Sequence, residues 1–132
     1  MARLGFRLFL TAPLLAALAI PLTSFAEERI RLFQSAVNVM PSGTLTVTET
    51  ITVLAEGKKI KRGIYRDFPT EYQDHENRKR RIGFRLLDVT RDGSPEAHHT
   101  EALSNGVRIY IGQRNRFLSP GEYRYTLTYE TD

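Results

Sequence analysis

Residues 44–53 constrain the fold of this chain more than any other segment, because their side chains alternate strictly in character. The segment reads TLTVTETITV, with aliphatic side chains from Leu45 to Val53 in one phase and threonines in the other. An alternation of period two that is rich in β-branched residues predicts a strand with one buried face. Glu49 is the exception, since it stands in the apolar phase where leucine or valine is expected.

Other short segments alternate in the same way, and turn signals separate them. The turn residues Pro41 to Gly43 make residues 30–54 a predicted hairpin. Residues 70–81 are too highly charged to pack and are predicted to form an exposed loop. Further strands are predicted at residues 62–68, 83–90, 107–111 and 122–131.

These segments predict the fold class. No helical period occurs after residue 26, and strands with one apolar face each must bury those faces against a second sheet. The sequence therefore predicts an all-β fold, an antiparallel β-sandwich of immunoglobulin-like architecture.

The first 26 residues have the order of a secretory signal peptide. Two arginines precede an apolar run from Leu8 to Ile20, and small residues before the end favour cleavage after Ala26. The alternative is a membrane anchor, but the run is shorter than the roughly 20 apolar residues that a span needs. We therefore expect residues 1–26 to be a signal peptide and residues 27–132 to be one exported domain.

The absence of cysteine bears on the compartment of this exported chain. An exported protein without disulfides is typical of a bacterial envelope, and the absence of an Asn-x-Ser/Thr site agrees with that. The expected localisation is periplasmic or otherwise extracytoplasmic.

The formal net charge of +4 is unevenly distributed. Basic residues are concentrated in Lys58–Arg62 and in Arg78–Arg81, and these two runs would form one positive patch if they met in space. Such a patch would suit anionic lipid head groups or an acidic envelope polymer. A solvated face that keeps the domain soluble is the alternative interpretation.

Residues 62–69 read RGIYRDFP and combine charge with aromatic groups in a predicted strand. In an extended chain Arg66 shares a face with Phe68, and an unpaired charge on a buried face costs several kcal/mol. Glu49 is the candidate partner, so we predict an ion pair between Glu49 and Arg66, with Arg62 as the alternative donor. A bulge near Gly63 that turns both arginines to water is the competing explanation.

The ordered set TVTETITV, RGIYRDFP, VTRDG, LSNGVRIYIG and PGEYRYTLTY, behind a signal peptide, resembles domain-of-unknown-function family 2207, predicted bacterial membrane proteins. The resemblance covers residues 27–132 and implies a β-rich extracytoplasmic domain that transmembrane helices follow, so we expect a C-terminally incomplete sequence. It implies no activity and no catalytic residues. The residues that match its RGIYRDFP motif are Arg62, Gly63, Tyr65, Arg66, Asp67, Phe68 and Pro69.

The sequence offers little of the chemistry that an enzyme needs. It has no Gly-x-Ser-x-Gly elbow and no phosphate-binding glycine loop. His98 and His99 would point to opposite faces of a strand and His75 lies in a hydrophilic segment, so neither a metal site nor a cofactor is predicted. Glu49 and Asp67 remain as candidate catalytic acids.

The leading hypothesis is a non-catalytic interaction or sensing module of a bacterial envelope membrane protein, with membrane or envelope components as partners and no nucleic acid. One alternative is an envelope enzyme acting on cell wall or polysaccharide through Glu49 and Asp67. Another is a secreted domain that binds anionic lipid or polymer through its basic loops. The candidate binding residues are Arg62, Tyr65, Arg66 and Asp67 of the motif, considered mainly structural, and Arg78, Lys79, Arg80 and Arg81 of the basic patch.

Overall fold

A computed structural model describes residues 27–132 of the chain, and the predicted signal peptide, residues 1–26, lies outside the described residues. The described part contains strands and no helix, so the predicted all-β class is confirmed. The strands are β1 (Arg29–Val39), β2 (Leu45–Ala55), β3 (Gly63–Pro69), β4 (Glu71–Gln73), β5 (Lys79–Arg81), β6 (Phe84–Arg91), β7 (Ser94–Pro95), β8 (His98–Leu103), β9 (Gly106–Gly112) and β10 (Gly121–Thr131).

Eight of the strands form two antiparallel sheets that pack face to face, and β4 and β5 form a separate two-stranded sheet. One sheet has the order β1-β2-β10-β6-β7, and the other has the order β3-β9-β8. Both contribute to one core, in which Tyr125 and Leu127 of the larger sheet meet Ile109 and Ile111 of the smaller one. This two-sheet arrangement is compatible with an immunoglobulin-like architecture, which stays a prediction.

Strand β2 lies between β1 and β10 and follows the predicted alternation. Val47, Ile51 and Val53 are buried in the core, and Glu49 is buried among them at 3% exposure. The predicted hairpin of residues 30–54 is also present, because β1 pairs with β2 from Arg29 to Val39. Strand β1 is nevertheless exposed along its length, since it forms the edge of the larger sheet.

Two segments differ from the sequence-based expectation. Residues 70–81 contain the two-stranded hairpin β4–β5 rather than an irregular loop, although both strands are exposed. Strand β8 was not predicted, because it is an edge strand whose residues are mostly exposed and carry no apolar alternation. Within the part of the chain that the structure describes, no helix has the length and apolar character needed to cross a membrane.

Candidate functional site

Strand β3 carries the RGIYRDFP motif and presents two chemically different faces. Phe68 is buried in the core at 7% exposure, whereas Tyr65 points outward and is 59% exposed. Aromatic residues in strands usually belong to the core, but of these two only Phe68 does. The pairing of β3 with β9 runs from Gly63 to Pro69 without a register shift, so the alternative of a bulge near Gly63 is not observed.

On the inner face, Arg66 and Glu49 form the predicted ion pair. Arg66 Nε donates to Glu49 Oε2 at 2.8 Å, and Arg66 Nη2 donates to Glu49 Oε1 at 2.9 Å. The Glu49 side chain is 4% exposed and the Arg66 side chain is 32% exposed, so the pair lies at the rim of the core. The hydrogen bond with Glu49 raises the pKa of Arg66, and burial opposes that shift.

Further contacts fix the inner pair in place. Tyr129 donates its hydroxyl to Glu49 Oε1 at 3.1 Å, and Arg66 Nη1 donates to the carbonyl oxygen of Asp67 at 2.9 Å. The guanidinium of Arg66 lies 4.8 Å from the ring centroid of Phe68 and 5.5 Å from that of Phe33. Arg66 and Glu49 thus join the two sheets, because β3 belongs to one and β2 to the other.

Arg62, the alternative donor, does not reach Glu49. It precedes β3 in an exposed position, and its guanidinium lies 4.3 Å from the ring centroid of Phe117. The motif therefore places its two arginines in different environments, one at the core and one on the surface.

On the outer face of the smaller sheet, three ring-bearing side chains form a row across the strands. Tyr65 of β3, Tyr110 of β9 and His99 of β8 are register partners. The ring centroids of Tyr65 and Tyr110 are 6.1 Å apart, and the His99 ring stacks on Tyr110 at 4.8 Å with an interplanar angle of 13°. We call Tyr65, Tyr110 and His99 the ring row.

An ion pair supports the ring row from one side. Arg108 Nε and Nη2 donate to the two carboxylate oxygens of Asp67 at 2.6 and 2.7 Å. The guanidinium of Arg108 lies 4.2 Å from the ring centroid of Tyr65 and 5.8 Å from that of Tyr110. The hydrogen bond from Arg108 lowers the pKa of Asp67, against a smaller opposing effect of desolvation. Asp67 is therefore a carboxylate whose oxygens are both engaged.

On the other side of the ring row lies an open groove of about 520 Å³. Gly63 and Gly112 are register partners in β3 and β9, next to Tyr65 and Tyr110 along their strands. A Cβ on Gly63 would lie 1.8 Å from the carbonyl oxygen of Ile111, so the two backbones approach too closely there for any other residue. The paired glycines leave the sheet bare of side chains beside the rings.

Basic residues line the far side of this groove. They are Lys59, Lys61 and Arg62, from the loop between β2 and β3, and Arg114, from the loop after β9. Among residues 27–132 no carboxylate lies within the 4.0 Å of an ion pair from any of these four cations. One acidic residue, Glu101, also lines the groove. We call the groove with its ring row and these cations the basic groove.

The second basic run is arranged differently. The carboxylate of Asp74 accepts hydrogen bonds from Arg78 Nε and Arg80 Nε, both at 3.0 Å. Arg81 Nε lies 3.8 Å from Glu71 Oε1. Acidic neighbours thus offset much of the charge of the β4–β5 hairpin. The seven residues of β3 separate the two runs by about 20 Å, at roughly 3.3 Å per residue, so they do not form one patch.

Glu28 holds the loop that carries the first basic run. Its carboxylate accepts hydrogen bonds from four backbone N–H groups. The donors are Glu56 and Lys58, each at 2.9 Å, Lys59 at 2.5 Å and Ile60 at 3.2 Å. Desolvation acts to raise the pKa of Glu28, but these backbone donors together outweigh it and lower the pKa to about 2. The loop is therefore ordered around an ionised carboxylate.

The histidines do not converge on a metal site. His98 Nδ1 lies 3.0 Å from the carbonyl oxygen of Glu96, His99 belongs to the ring row, and His75 is a surface residue in the β4–β5 turn region. Among residues 27–132 no group of three potential ligands could hold a metal ion.

Tyr110, His99 and Arg108 were not predicted from the sequence as members of a site. The alternation in residues 106–112 placed Arg108 and Tyr110 together on one face, but nothing indicated that this strand lies between β3 and β8. Glu28 was not predicted either, because its partners are backbone groups.

Comparisons with known proteins identify the family. The family model described as "Predicted membrane protein (DUF2207) N-terminal domain" matches residues 29–132. The uncharacterized protein YciQ of Escherichia coli (strain K12) is 34% identical over 104 residues, which cover 79% of this chain but only 16% of that protein. No solved structure matches the chain. The chain therefore belongs to the DUF2207 family of predicted membrane proteins, and residues 29–132 correspond to its N-terminal domain.

Proposed function

We propose that this domain is a non-catalytic interaction module, placed on the extracytoplasmic side of a bacterial envelope membrane protein, and that it binds its partner through the basic groove. The single observation that carries the proposal is a contrast between the acidic side chains of Glu49 and Asp67, which form ion pairs, and the cations of the groove, which form none with a carboxylate of the described residues. The acids that an enzyme would need are bound to arginines, whereas the cations of the groove have no carboxylate partner among the described residues.

The positions of Glu49 and Asp67 argue against a catalytic pair. Glu49 faces the core with both oxygens bound to Arg66, and Asp67 faces outward with both oxygens bound to Arg108. Arg66 and Asp67 are adjacent in β3 and point to opposite faces, so Glu49, which binds Arg66 from the core side, and Asp67 lie on opposite sides of the smaller sheet. Two catalytic acids of a glycosidase must flank one bond from either side, with open space between them.

The basic groove has the features of a binding surface. It is concave, combines amphipathic rings with cations, and is built on paired strands and a loop that Glu28 holds. The membership in a family of predicted membrane proteins supports a role next to a membrane.

Binding and turnover are measured together to test this function. The purified chain is mixed with three bacterial envelope preparations, namely insoluble peptidoglycan, membrane vesicles and soluble envelope polysaccharide, and both bound protein and released sugar are determined. We expect saturable binding to at least one preparation without product release. The double variant Lys59→Ala/Lys61→Ala should bind more weakly, and Lys79→Ala/Arg81→Ala serves as the matched control.

Two results would overturn the proposal. The absence of binding to all three preparations would exclude an interaction module for envelope components. Release of soluble sugar that Glu49→Gln abolishes, in a variant that still folds, would favour the alternative of an envelope enzyme.

A further inference from the structure

We infer that the ligand of the basic groove is an anionic glycan, a single chain of sugars that carries carboxylate groups. This inference rests on the proposed function and specifies the chemical class of the partner. It concerns the face built from Tyr65, Tyr110 and His99, and not the arginine-rich β4–β5 hairpin.

The charges of the groove select an anion. Four cations face a single acidic residue, Glu101, around one concave surface. Ammonium and guanidinium groups form their strongest hydrogen bonds with carboxylates and phosphates. Because none of these cations forms an ion pair with a carboxylate among residues 27–132, a bound anion would not have to displace one.

The layout of the groove accommodates an extended polymer chain. Along β3 and β9 the ring row is followed by the bare backbone at Gly63 and Gly112 and then by the loops that carry the cations. A single extended chain can lie along this open surface and contact the ring row and the cations together.

The packing of the rings favours a saccharide over single-stranded nucleic acid. A base binds by stacking on an open aromatic face. Here Tyr110 has His99 stacked on one side at 4.8 Å and Tyr65 on the other at 6.1 Å, while Arg108 covers Tyr65 at 4.2 Å. These neighbours restrict access to the faces of the Tyr110 ring, whereas Tyr65, which is 59% exposed, can offer its hydroxyl to sugar hydroxyls.

The groove is held in shape before any ligand arrives. The loop with Lys59 and Lys61 is fixed by the carboxylate of Glu28, and the backbone N–H of Leu118 donates to the carbonyl oxygen of Lys61 at 2.8 Å. The ring row is fixed by the bidentate pair of Arg108 and Asp67. Such preorganisation lowers the entropy lost when a ligand binds.

Isothermal titration calorimetry of the purified chain with a hexamer of mannuronate tests this inference. We expect saturable binding that weakens as salt rises from about 0.05 M to about 0.5 M, because the Debye length falls. A neutral hexamer of glucose should bind at least about tenfold more weakly, since it offers no charge-assisted hydrogen bond. Lys59→Ala/Lys61→Ala should weaken mannuronate binding about tenfold, and Lys79→Ala/Arg81→Ala should leave it unchanged.

Other outcomes of the same titration would contradict the inference. Equal affinity for the glucose hexamer would remove the role of charge. Tighter binding of an oligothymidylate, or of phosphatidylglycerol vesicles, would replace the glycan by nucleic acid or by membrane lipid. The absence of mannuronate binding by a chain that still binds an envelope preparation would refute the ligand class alone and leave the interaction module in place.

Discussion

Arg66 of β3 and Glu49 of β2 join the two sheets of the domain through two hydrogen bonds of 2.8 and 2.9 Å. This pair explains why an acidic residue stands in the apolar phase of β2 and why the RGIYRDFP motif carries an arginine in its inward phase. The inner face of β3 is thereby structural, which leaves its outer face, with Tyr65 and Asp67, available to build the basic groove.

The ion pair should be measurable as a coupling free energy. We expect Glu49→Gln and Arg66→Met each to lower the free energy of unfolding by about 2 kcal/mol, less than for a fully buried pair because Arg66 is 32% exposed. Urea unfolding of both single variants and the double variant should give a coupling of about 1 kcal/mol or more. A coupling near zero would mean that the two side chains contribute independently.

Tyr125 and Tyr129 should ionise late in a pH titration. Burial is the main cause that raises the pKa of each to about 12, and Glu49 adds to the effect at Tyr129. Because the folded-state pKa is raised from 10.0, the stability that these phenols contribute is present below pH 10 and is lost as pH rises toward about 12.

Phenolate absorbance measures this late ionisation directly. Tyr129→Phe and Tyr125→Phe should each remove half of the absorbance change near pH 12, and the double variant should remove all of it. A late step that keeps its full amplitude in either single variant would contradict the assignment.

Gly63 should tolerate no side chain, because its φ is +146° and a Cβ would lie 1.8 Å from the carbonyl oxygen of Ile111. We expect Gly63→Ala to lower the free energy of unfolding by about 3 kcal/mol, through a strained backbone and a forced separation of β3 from β9. Gly57→Ala is the matched control, since Gly57 also has a positive φ but has open space around it. Thermal unfolding of the two variants should show the larger loss for Gly63→Ala, and equal losses would refute the close approach.

Glu28 should make the stability of the domain depend on acid pH. Its pKa is lowered from 4.5 to about 2 in the folded chain, so its contribution is complete above pH 4.5 and is lost as pH falls toward about 2. The urea midpoint of Glu28→Gln should therefore lie below the midpoint of the unmodified chain. The difference between the two midpoints should be constant above pH 4.5 and should become smaller as the pH falls below 4.5. Glu27→Gln provides the exposed neighbour as a control. A gap that does not change between pH 7 and pH 3 would contradict the role of the carboxylate.

The parts of the fold that sequence predicted are those where side-chain alternation reports burial. In β2 the buried phase from Val47 to Val53 is visible in the sequence, and Glu49 is conspicuous because it interrupts that phase. The presence of a charge among aliphatic residues already required a partner, and only a few arginines on predicted inward faces were available. Strand β8 could not be predicted in this way, because it is an edge strand with mostly exposed residues and no apolar alternation.

The basic groove could not be predicted from the sequence, for a different reason. Its ring row joins Tyr65, His99 and Tyr110, which lie far apart in the sequence and meet only because β9 runs between β3 and β8. Strand order within a sheet depends on long-range pairing that no local pattern encodes. The role of Glu28 was hidden as well, since it binds backbone N–H groups that every residue except proline possesses.

The central claim is that the outer face of the β3-β9-β8 sheet is the binding face of this domain. Amide chemical-shift mapping by NMR, with the mannuronate hexamer added stepwise to the purified chain, tests it most directly. We predict saturable shifts at the backbone amides of Lys59, Gly63, Tyr110 and Gly112, with little change at Glu49. Shifts confined to the hairpin of Arg78 to Arg81 would contradict the claim and assign binding to the other basic run.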